Sequence, residues 1–225
     1  MRNLFIALLF LSIINLSAQS SSRIVGPFDE LIVSGKLNVL IVQGDSESVE
    51  IYEEGYSEGD VNVNLRNGVL KVSSVDGWMK KGNRRIPVRI SYKYLHKIRV
   101  SAGAELQSEQ TIVADQFEIK AGSGAEVELK IEVKTLEAGA SEGAILKLYG
   151  QAENQYVTTY TGGEYEGEGL ECANTHVKSN TGGQARVVAN NFLDAVANTG
   201  GGIRYSGSPG EKHTKSNLGG DIRRY

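Results

Sequence analysis

The sequence is poor in the residues that cross-link, kink or rigidify a chain. Its 225 residues include one cysteine, three prolines and one tryptophan. Because Cys172 is alone, no intrachain disulfide can form, and we interpret it as a small buried apolar residue. No stretch shows convincing 3.6-residue apolar periodicity, whereas Val, Ile, Tyr and Thr are frequent. These features predict an all-β protein stabilised by packing alone.

The sequence also lacks a strong charge imbalance and several motifs of metal and nucleotide sites. It has 24 basic and 27 acidic side chains, a formal net charge of -3, which does not favour nucleic acid as a general partner. After the first 18 residues there is no His-Glu-x-x-His or Gly-x-Gly-x-x-Gly sequence, and the calcium-binding Gly-Gly-x-Gly-x-Asp repeat is absent. No cofactor is predicted.

The first residues have the pattern of a secretory signal peptide. A short basic start precedes an apolar run from Leu4 to Leu16, and Ala18 offers a cleavage site. We predict that residues 1–18 are removed and that the mature chain lies in the periplasm, on the outer cell surface or outside the cell. The alternative is an uncleaved anchor, although the run falls short of the about 20 residues that a spanning helix needs. No later segment is long enough to span a bilayer.

Residues 19–94 predict a less regular N-terminal β region. Short alternating segments such as Leu37–Val42, Val61–Leu65 and Val69–Val72 read as strands. Asn67-Gly68 between two of them predicts a tight hairpin turn of type I′.

A glycine followed by a small residue recurs about every nineteen residues through the rest of the chain. The first glycines of successive pairs are 21, 19, 19, 20, 18 and 19 positions apart. The pairs are Gly103-Ala104, Gly124-Ala125, Gly143-Ala144, Gly162-Gly163, Gly182-Gly183, Gly200-Gly201 and Gly219-Gly220. Such a period is typical of stacked supersecondary units, so residues 95–225 predict a β-solenoid with coils of about 19 residues, continuous with the preceding region as one domain.

Side chains alternate around each glycine. Odd positions upstream are apolar or small and even positions are polar, which indicates strands with one buried face. The column five residues before the glycine illustrates the pattern: Ile119, Ala138, Val157, Val177, Ala195 and Thr214. Each coil should therefore consist of a strand, a glycine corner, a second strand and a return segment.

The sequence resembles a known family. The segments that carry the resemblance are Phe28–Gly35, Val39–Gly44, Val49–Ile51, Pro87-Val88, Ile98–Ala104, Ala121–Ala125 and Glu142–Ala144. They are similar to the DUF2807 family, the head GIN domain auto-transporter adhesins of Bacteroidetes, over roughly residues 23–225. The resemblance implies an exported, right-handed parallel β-helix with an adhesin-like role and no catalytic residues to transfer. The last coils depart from the family by having Asn-Thr-Gly-Gly in place of Ser-Gly-Ser-Gly.

An arginine column is the first candidate site. Arg186, Arg204 and Arg223 each lie four residues after a corner glycine, and Lys178 and Lys215 lie on the neighbouring strand face. Stacked guanidinium groups suit carboxylate, sulfate or phosphate, so we predict binding of a repeating anionic polymer. The alternative is a solvated face balanced by nearby acids.

A second candidate column lies six residues before the glycine and contains His176, Asp194 and His213. Imidazole and carboxylate on successive coils predict a divalent-metal site. The alternative is a solvated column, because a flat sheet points its side chains in parallel whereas metal ligands converge.

The sequence thus favours an exported, non-enzymatic binding or surface-interaction module, with a surface glycan or another envelope or extracellular component as partner. The alternative is a carbohydrate-active enzyme, a polysaccharide lyase or hydrolase of parallel β-helix fold. Glycosidases need two carboxylates that flank one bond, and the sequence singles out no such pair.

Overall fold

The computed structural model describes residues 20–52, 58–75 and 85–225, so the predicted signal peptide, residues 1–18, lies outside the described residues. Within these ranges the chain forms strands throughout, with one short 3-10 turn at Glu58–Asp60. The strands are β1 (Ser20–Ile24), β2 (Glu30–Ser34), β3 (Leu37–Gln43), β4 (Ser48–Tyr52), β5 (Val61–Arg66), β6 (Val69–Ser74), β7 (Ile86–Tyr92), β8 (Lys97–Ser101), β9 (Glu105–Ser108), β10 (Ile112–Ala121), β11 (Glu126–Ser141), β12 (Ile145–Tyr160), β13 (Glu164–Asn180), β14 (Gln184–Val188), β15 (Phe192–Asn198), β16 (Gly202–Ser206), β17 (Glu211–Asn217) and β18 (Asp221–Arg224).

Strand pairing confirms the parallel β-solenoid. The segments that lead into the glycine corners pair in parallel from coil to coil and form what we call sheet 1. The segments that leave the corners pair in the same way and form sheet 2. Long strands such as β11 and β12 belong to both sheets, because each runs from one corner to the next.

The register matches the predicted columns residue by residue. Ala138 pairs with Val157, Val157 with Val177, and Val177 with Ala195. These four side chains are at most 2 % exposed, so they face the space between the two sheets. The burial of such apolar columns provides the main favourable contribution to folding.

Each corner is a tight turn in which two successive residues have positive φ. At Ser123-Gly124 the φ values are 50° and 69°, and the N–H of Ala125 donates to the carbonyl of Gly122 at 3.2 Å. Two left-handed residues in succession define a type I′ turn. The glycine and the residue before it both have positive φ, even where that residue is the β-branched Thr181.

The corners are hydrogen-bonded to one another along the solenoid. The N–H of Gly124 donates to the carbonyl of Glu142 at 3.0 Å, and the N–H of Gly182 donates to the carbonyl of Thr199 at 3.2 Å. A turn that would otherwise expose unpaired backbone groups therefore continues the ladder of the flanking strands.

The N-terminal strands extend both sheets but not in chain order. β2 lies between β6 and β8 in sheet 1, and β3 lies between β7 and β9 in sheet 2. At the outer edge β5 pairs antiparallel with β6, β4 with β7, and β1 with β4. The predicted type I′ hairpin joins β5 to β6, with φ of 51° at Asn67 and 76° at Gly68. The less regular N-terminal region is thus confirmed, and its antiparallel strands cover an edge that would otherwise be open.

One hydrophobic cluster fills the space between the sheets and contains a polar network. Gln155 in sheet 1 is fully buried and accepts a hydrogen bond from the hydroxyl of Tyr165 in sheet 2 at 3.0 Å. Its amide nitrogen donates to Thr175 and to the carbonyl of Val188, both at 3.0 Å. Buried polar groups that are paired in this way carry little desolvation penalty. Cys172 is 1 % exposed, and burial raises the pKa of its thiol, as expected of a packing residue.

The last coil ends the solenoid with polar side chains. All seven residues of β17 are exposed, including Lys212, which occupies the column of the buried Leu193. An asparagine ladder still runs to the end of sheet 1. Asn217 donates to Asn198 at 2.8 Å and Asn198 donates to Asn180 at 2.9 Å. A charged terminal strand of this kind opposes edge-to-edge association.

The two glycines of a corner have different roles, which predicts different costs of substitution. A Cβ at Gly200 would meet nothing within 4 Å, but φ there is +72°. We expect Gly200→Ala to cost about 1–2 kcal/mol of stability through the positive φ alone. A Cβ at Gly201 would lie 2.3 Å from the carbonyl oxygen of Ser179, so Gly201→Ala must separate two coils and should cost more. Urea unfolding of the two variants measures the difference, and equal transition midpoints would contradict the distinction.

Candidate functional site

The residues of the predicted metal column lie in register on successive coils, but their side chains do not point to one common position. His176 pairs with Asp194 and Asp194 with His213 along sheet 1. His176 Nδ1 lies 3.6 Å from Asp194 Oδ2, whereas His213 Nε2 lies 2.9 Å from Glu211 Oε1 on its own strand. The structure brings His176 and Asp194 together and directs His213 away from them. In the described part of the chain no three His, Cys, Asp or Glu side chains are grouped so as to hold a metal ion.

The same histidines belong to a row of neighbouring aromatic rings, which we call the aromatic row: Tyr156, His176, Phe192 and His213. Tyr156 and His176 are nearly parallel, with ring centroids 4.9 Å apart and planes at 7°. Phe192 follows at 5.2 Å from His176, and His213 at 5.8 Å from Phe192. Sequence reasoning missed this row. The signal was present, because Phe192 lies eight residues before Gly200, at an even and therefore outward position.

A depression of about 490 Å³ lies where the aromatic row ends at Tyr156. We call it the tyrosine notch and define it by Lys120, Glu137, Gly139, Tyr156, Thr158 and Tyr160. Tyr156 and Tyr160 project from the same strand and are 47 % and 45 % exposed. The register places Gly139 between Lys120 and Thr158 on the three coils that form the floor. The notch therefore combines two exposed rings with a floor that lacks a side chain at its centre.

Ion pairs order the charged rim of the notch. Lys120 Nζ lies 2.8 Å from Glu118 and 3.1 Å from Glu137, and Lys97 lies 2.7 Å from Glu118. Burial alone would raise the pKa of the Glu118 carboxyl, but hydrogen bonds from Lys120 and Lys97 outweigh burial and lower the pKa. The hydrogen bond to Glu118 raises the pKa of Lys120. Both groups are therefore charged near neutral pH and hold one another in place.

The predicted arginine column exists on sheet 2. Arg186 pairs in register with Arg204, and Arg204 with Arg223. Acidic neighbours occupy two of the three guanidinium groups. Arg186 lies 2.7 Å from Glu164 and 3.1 Å from Glu166, and Arg223 lies 2.9 Å from Asp221. Arg204 is exposed and makes no ion pair within the described residues.

The two lysines predicted beside the arginines lie on the other sheet. Lys178 and Lys215 share an outward column of sheet 1 with Val196 between them. A glycine corner separates this column from the arginines, so the five basic residues line two surfaces and do not form one patch.

Comparisons with known proteins show what this arrangement is similar to. A family model, DUF2807, described as "Putative auto-transporter adhesin, head GIN domain", matches residues 27–209. No curated protein gives a significant match. Among the described residues, no helix has the length and apolarity needed to cross a membrane.

Solved structures from Bacteroidetes share the fold. A putative adhesin from Bacteroides fragilis is 18% identical, with a TM-score of 0.84 over 92% of this chain and 96% of its own. A putative adhesin from Parabacteroides merdae is 19% identical, with a TM-score of 0.70 over 94% and 97%. A putative lipid binding protein from Parabacteroides distasonis is 16% identical, with a TM-score of 0.68 over 93% and 97%. At these identities the likeness establishes the architecture alone.

The arginine hypothesis can be tested by removing the acids that pair with Arg186 and, separately, by removing the arginines. We expect Glu164→Gln with Glu166→Gln to raise the salt concentration at which the protein elutes from heparin beads, because Arg186 is released. Arg186→Ala with Arg204→Ala and Arg223→Ala should lower it. Each exposed contact contributes on the order of 1 kcal/mol or less, and salt screens such contacts over about 8 Å at physiological ionic strength.

The control for this experiment carries the same change of net charge. Arg66→Ala, Lys71→Ala and Lys93→Ala remove three exposed charges from the N-terminal strands and their connections. If this variant and the arginine variant elute at the same salt concentration, the arginine column has no special role.

Proposed function

The chain belongs to the DUF2807 family, the head GIN domain family, and on that premise we propose that it is an exported binding module that catalyses no reaction. The observation that carries the proposal is the repetition of outward columns along two extended sheets. Successive coils present equivalent side chains about 4.8 Å apart. Such a surface suits a partner with its own repeat, because many weak contacts add up through multivalency.

The state of the carboxylates supports binding over catalysis. Hydrolysis of a glycosidic bond requires one carboxyl with a raised pKa to act as general acid. The Glu118 carboxyl beside the notch has a lowered pKa, because it accepts hydrogen bonds from two lysines. Glu164 and Glu166 share Arg186 and are likewise held in ion pairs.

The proposed location is outside the cytoplasm, in the periplasm, on the outer cell surface or beyond it. The basic start and apolar run of residues 1–18 support export, and the adhesin description of the family agrees with it. The proposed partner is a surface glycan or another envelope or extracellular component.

We extend the proposal to domain organisation: residues 19–94 and 95–225 form one domain. β2 pairs with β6 on one side and with β8 on the other. One hydrophobic cluster includes residues from both regions, for example Leu31, Val72 and Ile98. Neither region could be removed without exposing a row of buried apolar side chains.

The test joins a binding screen to an activity screen. The purified protein is applied to a glycan array, and the polymers that retain it are incubated with it and assayed for new reducing ends and for unsaturated sugar products. We expect retention on at least one glycan with no release of products. Product formation above that of a heat-denatured sample would contradict the non-enzymatic assignment, and the absence of retention on every glycan would contradict the glycan partner.

A further inference from the structure

The tyrosine notch is an outward surface where two exposed aromatic rings border a floor that lacks a side chain at its centre. Stacking within the aromatic row covers one face of the Tyr156 ring with His176 on the following coil. The other face looks toward the preceding coil, which supplies Glu137 and Gly139 to the notch. Tyr156 therefore lines the notch, with the rest of the row behind it as support.

The floor of the notch has no side chain at its centre, because Gly139 lies there. The atom nearest to a Cβ at Gly139 would be Lys120 Cγ, at 3.4 Å, and the backbone oxygen of Thr158 would be 4.0 Å away. The position has no positive φ, so a side chain is compatible with the backbone there. A glycine in the middle of a strand weakens it, and here the stem of Lys120 lies against the position that a side chain would occupy.

The notch presents apolar and polar groups in the combination that a sugar requires. One side of a pyranose ring is lined by C–H bonds, which pack against an aromatic ring, while its hydroxyl groups donate and accept hydrogen bonds. Tyr156 and Tyr160 offer ring faces, and Thr158, Glu137 and Lys120 offer donors and acceptors. Glu137 and Lys120 cancel in charge, which suits an uncharged ligand better than an anionic one.

We propose that the tyrosine notch binds a sugar unit of a neutral glycan, with the C–H face of the ring against Tyr156 and Tyr160 and its hydroxyl groups toward Lys120, Glu137 and Thr158. The proposal rests on the proposed function and names its ligand class and its site. This site is separate from the arginine column, which lies on the other sheet and would select an anionic polymer.

Affinity electrophoresis tests the proposal. Native gels contain one neutral polysaccharide each (xylan, galactomannan or a soluble β-glucan), and parallel gels contain heparin, alginate or gelatin. Gly139→Val fills the floor, and Tyr160→Ser removes one ring. Tyr149→Ser, which removes a half-buried tyrosine from sheet 2, is the matched control. A cooperative thermal unfolding transition is measured for each variant to check that it is folded.

We expect at least one neutral polysaccharide to retard the wild-type protein and the Tyr149→Ser variant equally. Gly139→Val and Tyr160→Ser should each weaken that retardation about tenfold, the effect of losing about 1.4 kcal/mol of contact energy. If folded Gly139→Val is retarded as strongly as the wild type, the notch is not the sugar site, whereas the proposed binding function still holds. Retardation by the anionic polymers alone, or by gelatin alone, would also overturn the neutral-glycan proposal, and the absence of any retardation would overturn it together with the glycan partner.

Discussion

The structure depends on hydrogen bonding between successive coils. Parallel strands pair from coil to coil along both sheets, and the type I′ corners continue the same ladder through their glycine N–H groups. This arrangement requires left-handed backbone at two successive residues. The residue after them is alanine in the first three corners and glycine in the later ones, and at Gly163 a Cβ would lie 2.3 Å from the carbonyl oxygen of Ala140. The glycine period, the alternation of buried columns and the near-constant coil length all satisfy this constraint. The single cysteine and few prolines are compatible with it, because the bonds between coils stabilise the chain without a cross-link.

The same constraint shapes the surface. A coil that repeats its backbone also repeats the direction of its outward side chains, so neighbouring coils interact through columns. Opposite charges pair along or between these columns, as in Lys120 with Glu118 and Glu137, and rings stack, as in Tyr156 with His176. Charged side chains that pair within a column hold one another in place, as Lys120 and Glu137 do. The proposed sugar site lies where a column is interrupted, because Gly139 stands between Lys120 and Thr158. The repeat thus provides the extended sheets, and an interruption of the repeat provides the proposed site on one of them.

Much of the architecture could be predicted from the sequence, because buried columns and corner glycines leave a periodic signal. Ala138, Val157 and Val177 stack as the alternation requires. The insertion of β2 between β6 and β8 could not be predicted, since pairing out of chain order leaves no period. The arginine column and the acids of the alternative, Glu164, Glu166 and Asp221, were visible in the sequence. Which guanidinium group each acid pairs with depends on side-chain conformation. The tyrosine notch was missed because it combines residues from three coils whose individual positions are unremarkable, and its key residue is a glycine outside the corner series.

Amide hydrogen exchange at the corner glycines tests the central claim most directly. Six of them donate a hydrogen bond to a carbonyl of the following coil. At one end Gly103 donates to Ser123, and at the other end Gly200 donates to Leu218. The N–H of Gly219, in the last described coil, has no such acceptor among the described residues. We predict slow exchange at Gly124, Gly143, Gly162 and Gly182, and fast exchange at Gly219. Fast exchange at all the corners would show that the turns are merely exposed links between strands, and would contradict a solenoid held together through its corners.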